Sequence, residues 1–82
     1  MATKVFHVQT FWDPEAEVWV ATSDDIIGLA TEAEDMNRLR ERLRSIIPEL
    51  LRENGQIPAP HDGIEIPYEL IARDTIQEVA HQ

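Results

Sequence analysis

The feature that most constrains the fold is a run of apolar residues with helical spacing between Asp35 and Gly55. At about 100° per residue, these side chains fall within an arc of roughly 140°. They are Met36, Leu39, Leu43, Ile46, Ile47, Leu50 and Leu51. Asp35 is a favoured N-cap residue, and Asn54-Gly55 is a favoured helix ending. The sequence therefore predicts one amphipathic helix that needs an apolar surface along one side.

Pro48 lies inside this predicted helix. An interior Pro removes a hydrogen bond and clashes with the preceding turn, at a cost of about 3 kcal/mol. Because the helical wheel points Pro48 toward solvent, we predict a bend near Arg44 that lets the helix curve over a twisted sheet.

Two stretches ahead of the helix predict a β-hairpin. Residues 4–12 and 17–23 are rich in β-branched and aromatic side chains. Between them, Asp13 and Pro14 are the residues preferred at the first two positions of a type I turn. The sequence does not determine the register of the hairpin, so it does not show whether Trp12 and Trp19 share a face.

The second predicted strand is apolar on both faces, with Val18 and Val20 on one side and Trp19 and Ala21 on the other. A half-solvated strand would alternate apolar with polar residues, so we expect both faces to be covered. The helix covers one. Either a partner or the folded-back C-terminal segment covers the other.

Further strands are predicted on both sides of the helix. Gly28 relieves a tight backbone position before a short strand at 29–31, and residues 64–72 alternate as a strand. Pro67 cannot donate a ladder hydrogen bond, which makes this an edge or bulged strand. Residues 73–82 either extend it, which we favour, or form a short final helix.

These elements predict a single α+β domain over residues 1–82 with the order β-β-β-α-β. We expect a three- to four-stranded, mainly antiparallel sheet with one long helix packed on one face.

Net charge and composition limit the classes of function and partner that the sequence allows. The chain carries a net charge of −9, and residues 1–35 contain one Lys against eight acids. Nucleic-acid binding depends on neutralising phosphates, so we expect no direct nucleic-acid contact and a small basic protein as partner. The chain has no Cys, no membrane span and no signal-peptide core. We expect a cytoplasmic protein that is a homodimer or larger, because a small core without disulfides gains from self-association.

The acidic stretch from Thr22 to Asp35 raises the alternative of metal chemistry. The stretch does not fit a calcium-binding loop, because the residue at the third position, which would supply a ligand, is apolar. A two-metal nuclease using Asp24, Glu32 and Glu34 usually has an acid on the first strand, and residues 4–12 contain none. We therefore predict no metal, no cofactor and no catalytic residue, and keep a divalent-metal nuclease as the less favoured alternative.

The acids in this stretch have simpler roles in the fold we predict. Asp24 and Asp25 make the turn that ends the second strand, and Asp35 caps the helix. Glu32 and Glu34 have no evident folding role. The predicted partner-binding residues are Asp24, Asp25, Glu32, Glu34 and Trp19, and the predicted turn and cap residues are Asp13, Pro14, Gly28, Asp35 and Gly55.

The order of these elements resembles the HicB-like antitoxin domain, in particular a small solitary branch of unknown function. That family has a hairpin with an aromatic second strand, a Pro-Asp-x-x-Gly turn, a short strand and a Gly-Asp-Thr helix start. Here the hairpin is Trp12–Ala21, the turn is Ser23–Gly28, and Ala33–Asp35 replaces Gly-Asp-Thr. The resemblance covers roughly residues 4–54 of the chain.

The resemblance implies a curtailed ribonuclease-H-like unit without catalytic carboxylates. Such domains self-associate and neutralise a small basic toxin of the HicA type, which cleaves messenger RNA. Full antitoxins add a C-terminal DNA-binding domain, and the residues after Tyr68 are too few for one. The expected function is a non-catalytic protein-binding module, with a self-associating structural domain without a toxin as the alternative.

Overall fold

A computed structural model of the chain describes residues 5–57, 66–74 and 80. Their elements are β1 (Phe6–Asp13), β2 (Val18–Thr22), β3 (Ala30–Ala33), α1 (Met36–Glu53) and β4 (Tyr68–Arg73). The sheet has the order β3-β2-β1-β4, in which β4 runs parallel to β1 and the other neighbours are antiparallel. The predicted α+β fold with the order β-β-β-α-β is confirmed.

The turn between β1 and β2 is held by the side chain of Asp13. Its Oδ1 accepts hydrogen bonds from the backbone N–H groups of Glu15 (3.0 Å) and Ala16 (3.3 Å), as in an Asx turn. Glu17 closes the loop with a φ of 56°, in the left-handed region. Because Glu17 takes this turn conformation, β2 begins at Val18, one residue later than predicted.

The hairpin register settles which face each Trp occupies. Trp12 lies opposite Trp19, and Thr10 lies opposite Ala21. Thr10 and Ala21 are both buried, so this is the face that α1 covers. The two indole rings pack with centroids 5.7 Å apart at an interplanar angle of 60°.

The third strand starts and ends later than predicted. We predicted residues 29–31, whereas β3 spans Ala30–Ala33. Leu29 stays outside the strand because its N–H donates to the carbonyl of Ile26 (3.2 Å), which closes a turn, while its side chain is buried. Ala33 is buried opposite Trp19, so the strand continues until its last apolar residue is packed.

The helix begins and ends as predicted. The Asp35 side chain accepts a hydrogen bond from the backbone N–H of Arg38, and Gly55 follows the helix with a φ of 69°. Four residues of one stripe are fully buried: Leu39, Leu43, Ile47 and Leu51.

Pro48 lies within continuous α1, and it is half-buried instead of facing solvent. Its neighbour Ile47 is fully buried, so the ring lies at the margin of the buried stripe. The bend near Arg44 remains a prediction.

The last strand lies at the edge of the described sheet, as predicted from Pro67. The strand begins directly after this residue, whose carbonyl accepts a hydrogen bond from the backbone N–H of Phe6 (3.1 Å). The buried Thr10 hydroxyl donates to the carbonyl of Ile71 (3.2 Å), which also ties β1 to β4. Asp74 follows β4 without joining it, and the remaining predictions for 64–65, 75–79 and 81–82 fall outside the described residues. Within the described part of the chain, no helix is both long and apolar enough to cross a membrane.

The buried stripe of α1 predicts a large stability cost for truncation at its centre. Leu43→Ala removes a fully buried side chain, and we expect the free energy of unfolding to fall by about 2–5 kcal/mol. Urea denaturation followed by circular dichroism measures this loss. Arg42→Ala, on the exposed side of the same turn, is the matched control and should change stability by less than about 0.5 kcal/mol. Equal losses in both variants would contradict this packing.

Candidate functional site

Asp25 fastens the loop after β2 to the start of β1. Its Oδ2 accepts a hydrogen bond from the backbone N–H of His7 (2.8 Å) and lies 2.9 Å from the ring Nδ1 of the same residue. The carboxylate is therefore held by two groups of one residue far away in the sequence. Asp25 was predicted as a turn and partner-binding residue, and this geometry gives it a role in the fold.

Ser23 completes the same junction. Its hydroxyl donates to the carbonyl of His7 (2.6 Å) and accepts from the backbone N–H groups of Asp25 (3.0 Å) and Ile26 (3.1 Å). Because of these bonds Ser23 lies in the turn and not in β2, which was predicted to include it. The same bonds hold the turn that places Ile26 in the core. Nothing in the spacing of Ser23 and His7 along the sequence indicates this contact.

The end of α1 is bonded to the other side of this loop. The Gln56 side-chain amide donates a hydrogen bond to the carbonyl of Asp25 (2.8 Å) and accepts one from the backbone N–H of Ile27 (3.3 Å). The Asn54 side-chain amide donates a hydrogen bond to the carbonyl of Ile27 (2.7 Å). Gly28 has a φ of 83°, which confirms its predicted permissive role. The β2–β3 loop is therefore a braced structural element.

Two further acids lie at the start of α1. The Glu34 carboxylate is 3.3 Å from the guanidinium of Arg38, and the Asp35 carboxylate is 3.4 Å from Nε of the same Arg. All three side chains are more than half exposed, so these pairs contribute little stability. Glu34 nevertheless has a local partner, contrary to the inference from sequence that it has no folding role.

The other predicted partner-binding residues are spread over separate surfaces. Asp24 is exposed in the loop after β2, and Glu32 is exposed on β3. Trp19 is half-buried and packs against the core on the helix-covered face, so its indole serves the packing of Trp12 and α1. Asp24, Glu32 and Glu34 are the exposed carboxylates of the segment that runs from the end of β2 through β3, and Glu34 lies just before α1; we call this set the acidic edge.

The described residues contain no group of three or more His, Cys, Asp or Glu side chains arranged to hold a metal ion. Asp25 is bonded to His7 and Glu34 lies beside Arg38. His7 and Arg38 thus engage three carboxylates of the acidic stretch, those of Asp25, Glu34 and Asp35.

The sheet face opposite α1 carries exposed apolar side chains. Phe11 is 40% exposed and Ile71 is 48% exposed, and the half-buried Val18 and Val20 lie on the same face. We call the side of the sheet that carries these residues the open face. An exposed apolar group of this kind on a sheet is typical of an interaction surface.

A groove of about 590 Å³ borders the open face where β4 ends beside β1. Its lining residues are Gln9, Thr10, Phe11, Trp12, Pro14, Ile71 and Arg73. Arg73 is the charged side chain among these, and the rest are apolar or neutral. The groove therefore extends the apolar surface around Phe11 toward the hairpin.

These features define a class of protein: a small α+β domain with a helix on one sheet face, an open apolar face and an acidic edge. The chain belongs to the DUF1902 family, a domain of unknown function, whose pattern matches residues 5–79. No curated protein matches the chain. It is similar to the hypothetical protein TTHA1013 from the extremely thermophilic bacterium Thermus thermophilus, known from a crystal structure. The identity is 44%, with 94% of this chain and 100% of that chain covered and a TM-score of 0.66.

The loop geometry predicts different roles for the two adjacent Asp residues. Asp25→Ala leaves the His7 N–H without its carboxylate, and we expect the free energy of unfolding to fall by about 1–3 kcal/mol. The matched control is Asp24→Ala, at an exposed carboxylate, which should change stability by less than about 0.5 kcal/mol. Chemical denaturation of both variants measures the difference. An Asp24→Ala loss as large as that of Asp25→Ala would contradict the assignment.

Proposed function

We propose that the protein is a non-catalytic binding module that holds a small basic protein against its acidic edge. The observation that carries the proposal is a set of three exposed carboxylates, Asp24, Glu32 and Glu34, in the segment that contains the four-residue edge strand β3. Glu32 lies within β3, Glu34 directly follows it, and Asp24 lies in the loop that leads from β2 to β3. In this proposal the basic surface contacts Glu32 and Glu34 along β3 and Asp24 in the loop before it.

The charge distribution supports a cationic partner. Residues 5–35 contain eight acids and no Lys or Arg. An excess of one charge sign along one side of a small protein accelerates association with the opposite sign and opposes docking of acidic surfaces. The exposed Arg side chains lie mainly on α1, where Arg38 pairs with Glu34 of the acidic edge. The excess of acids before the helix therefore favours a cationic partner.

The backbone of β3 adds a second means of recognition. An edge strand presents unpaired N–H and C=O groups to a docked chain. Within the described sheet β3 pairs on one side with β2, and its other side carries no strand. A basic partner that adds backbone hydrogen bonds there gains specificity beyond charge attraction.

The resemblance of this fold to HicB-like antitoxins supports one kind of basic partner, a small toxin that cleaves messenger RNA in the cytoplasm. The shared order of hairpin, turn, short strand and helix supports the comparison, and the acidic edge supplies the charge that such a partner requires. In this proposal the domain neutralises the toxin by covering its basic surface.

The first test is whether a neighbouring reading frame encodes a small basic protein, and the second is co-expression of the chain with that protein. We expect the two proteins to co-purify as a complex and the toxin's RNA cleavage to be lost. Association should weaken as salt is raised, because exposed charges separated by more than about 10 Å are screened at 0.1 M salt. Failure of the purified pair to associate at low salt would overturn the proposal.

The acidic edge predicts the effect of charge reversal. The variant Asp24→Lys with Glu34→Lys should weaken binding of the basic protein about tenfold or more, because it replaces two attractions with repulsions. Isothermal titration calorimetry measures the dissociation constant. The control, Glu41→Lys with Glu49→Lys on exposed positions of α1, makes the same change of net charge from −9 to −5. An equal effect of the two variants would show that total charge, and not the edge, governs binding.

A further inference from the structure

We propose that the open face is the contact surface for a second copy of this chain, packed face to face about a two-fold axis parallel to the strands. The inference goes beyond the proposed function, because it concerns the face of the sheet and does not require a basic partner. The register of the four strands carries it.

Two rows of the open face cross all four strands, and the neighbouring pairs Asp13–Val18 and His7–Glu69 of the same face lie outside these rows. In the order β3, β2, β1, β4, the first row is Glu32, Val20, Phe11, Arg73, and the second row is Ala30, Thr22, Gln9, Ile71. The first row therefore has a negative end, an apolar middle and a positive end. The second row has apolar ends and a polar middle.

A two-fold axis along the strands, between β1 and β2, reverses each row on the facing copy. Glu32 then lies over Arg73 of the second copy, and Val20 lies over its Phe11. In the second row Ala30 lies over Ile71, and Thr22 lies over Gln9. Every pair in both rows is matched in character: charge with opposite charge, apolar with apolar, and polar with polar.

The alternative two-fold axis, perpendicular to the strands, lacks this complementarity. An axis along the first row places Glu32 over Glu32 and Arg73 over Arg73, and like charges in contact are unfavourable. Both axes leave the strands of the two sheets aligned, as in β-sandwiches, so the charges distinguish between them. The pattern of charges therefore selects one arrangement.

The two charges of the first row are separated within one chain. Glu32 and Arg73 lie on strands three positions apart, which is roughly 14 Å at the usual spacing of neighbouring strands. At that distance the two side chains form no contact in a single copy. In the dimer each copy supplies one member of two identical ion pairs at the rim, around the apolar centre formed by Phe11 and Val20.

Analytical ultracentrifugation of the full chain over a series of concentrations tests the proposal. We expect a dimer at micromolar concentrations and a monomer for Phe11→Glu, which places carboxylates in the apolar centre. The control, Ile27→Glu, changes an apolar side chain that is 64% exposed in the β2–β3 loop, away from the open face, and should remain dimeric. A wild-type chain that stays monomeric at all concentrations overturns the proposal and leaves the open face to a different protein or to the chain's own C-terminal residues.

Charge exchange tests the orientation without touching the apolar centre. Glu32→Arg and Arg73→Glu should each raise the dissociation constant of the dimer roughly tenfold, because each creates two repulsive pairs. The double variant restores both pairs with reversed polarity, so its dissociation constant should return to within about threefold of the wild-type value. Additive weakening in the double variant, or no effect of either single change, overturns the two-fold arrangement. Both measurements use the chain alone, so failure of the basic-partner complex leaves them unaffected.

Discussion

The structure depends on one helix packing against one side of a small sheet. Leu39, Leu43, Ile47 and Leu51 are fully buried from one stripe of α1. A single helix has one such stripe, so it can cover one face of the sheet and leaves the other to solvent or to another surface. The open face and its exposed Phe11 therefore follow from the described elements, which are one long helix and four strands.

The second constraint is the loop that joins β2 to β3. The chain must turn from the sheet and bring Ile26 and Leu29 into the core within a few residues. Ser23 and Asp25 bond this loop to His7, and Gln56 bonds it to the end of α1. These polar contacts give part of the acidic stretch a structural role, because they hold the loop in place. The proposed contact with a partner therefore depends on acidic residues that remain exposed, such as Asp24 and Glu32.

The parts of the fold that sequence reasoning predicted have local physical signals. The periodicity of α1, the Asp35 cap, the Asp13 turn and the positive φ of Gly28 each depend on residues within a few positions. The strand limits and the bracing of the loop depend on contacts such as Asp25 with His7, which are 18 residues apart. The pairing of Trp12 with Trp19 required the register, which a four-residue loop closed by Glu17 determines. For the same reason the rows of the open face could not be derived from the sequence alone.

The open face and the acidic edge can be used by one assembly. With a two-fold axis along the strands, β3 of each copy lies over β4 of the other, so the two β3 edges lie at opposite sides of the dimer. Glu32 lies on the open face and in this arrangement meets Arg73 of the facing copy, whereas Asp24 lies in the loop before β3 and Glu34 follows the strand. Each edge then keeps two carboxylates and its unpaired backbone for a docked chain. Self-association through the open face thus doubles the number of acidic edges in one particle, and a basic partner with two copies of its own binding surface gains affinity from both.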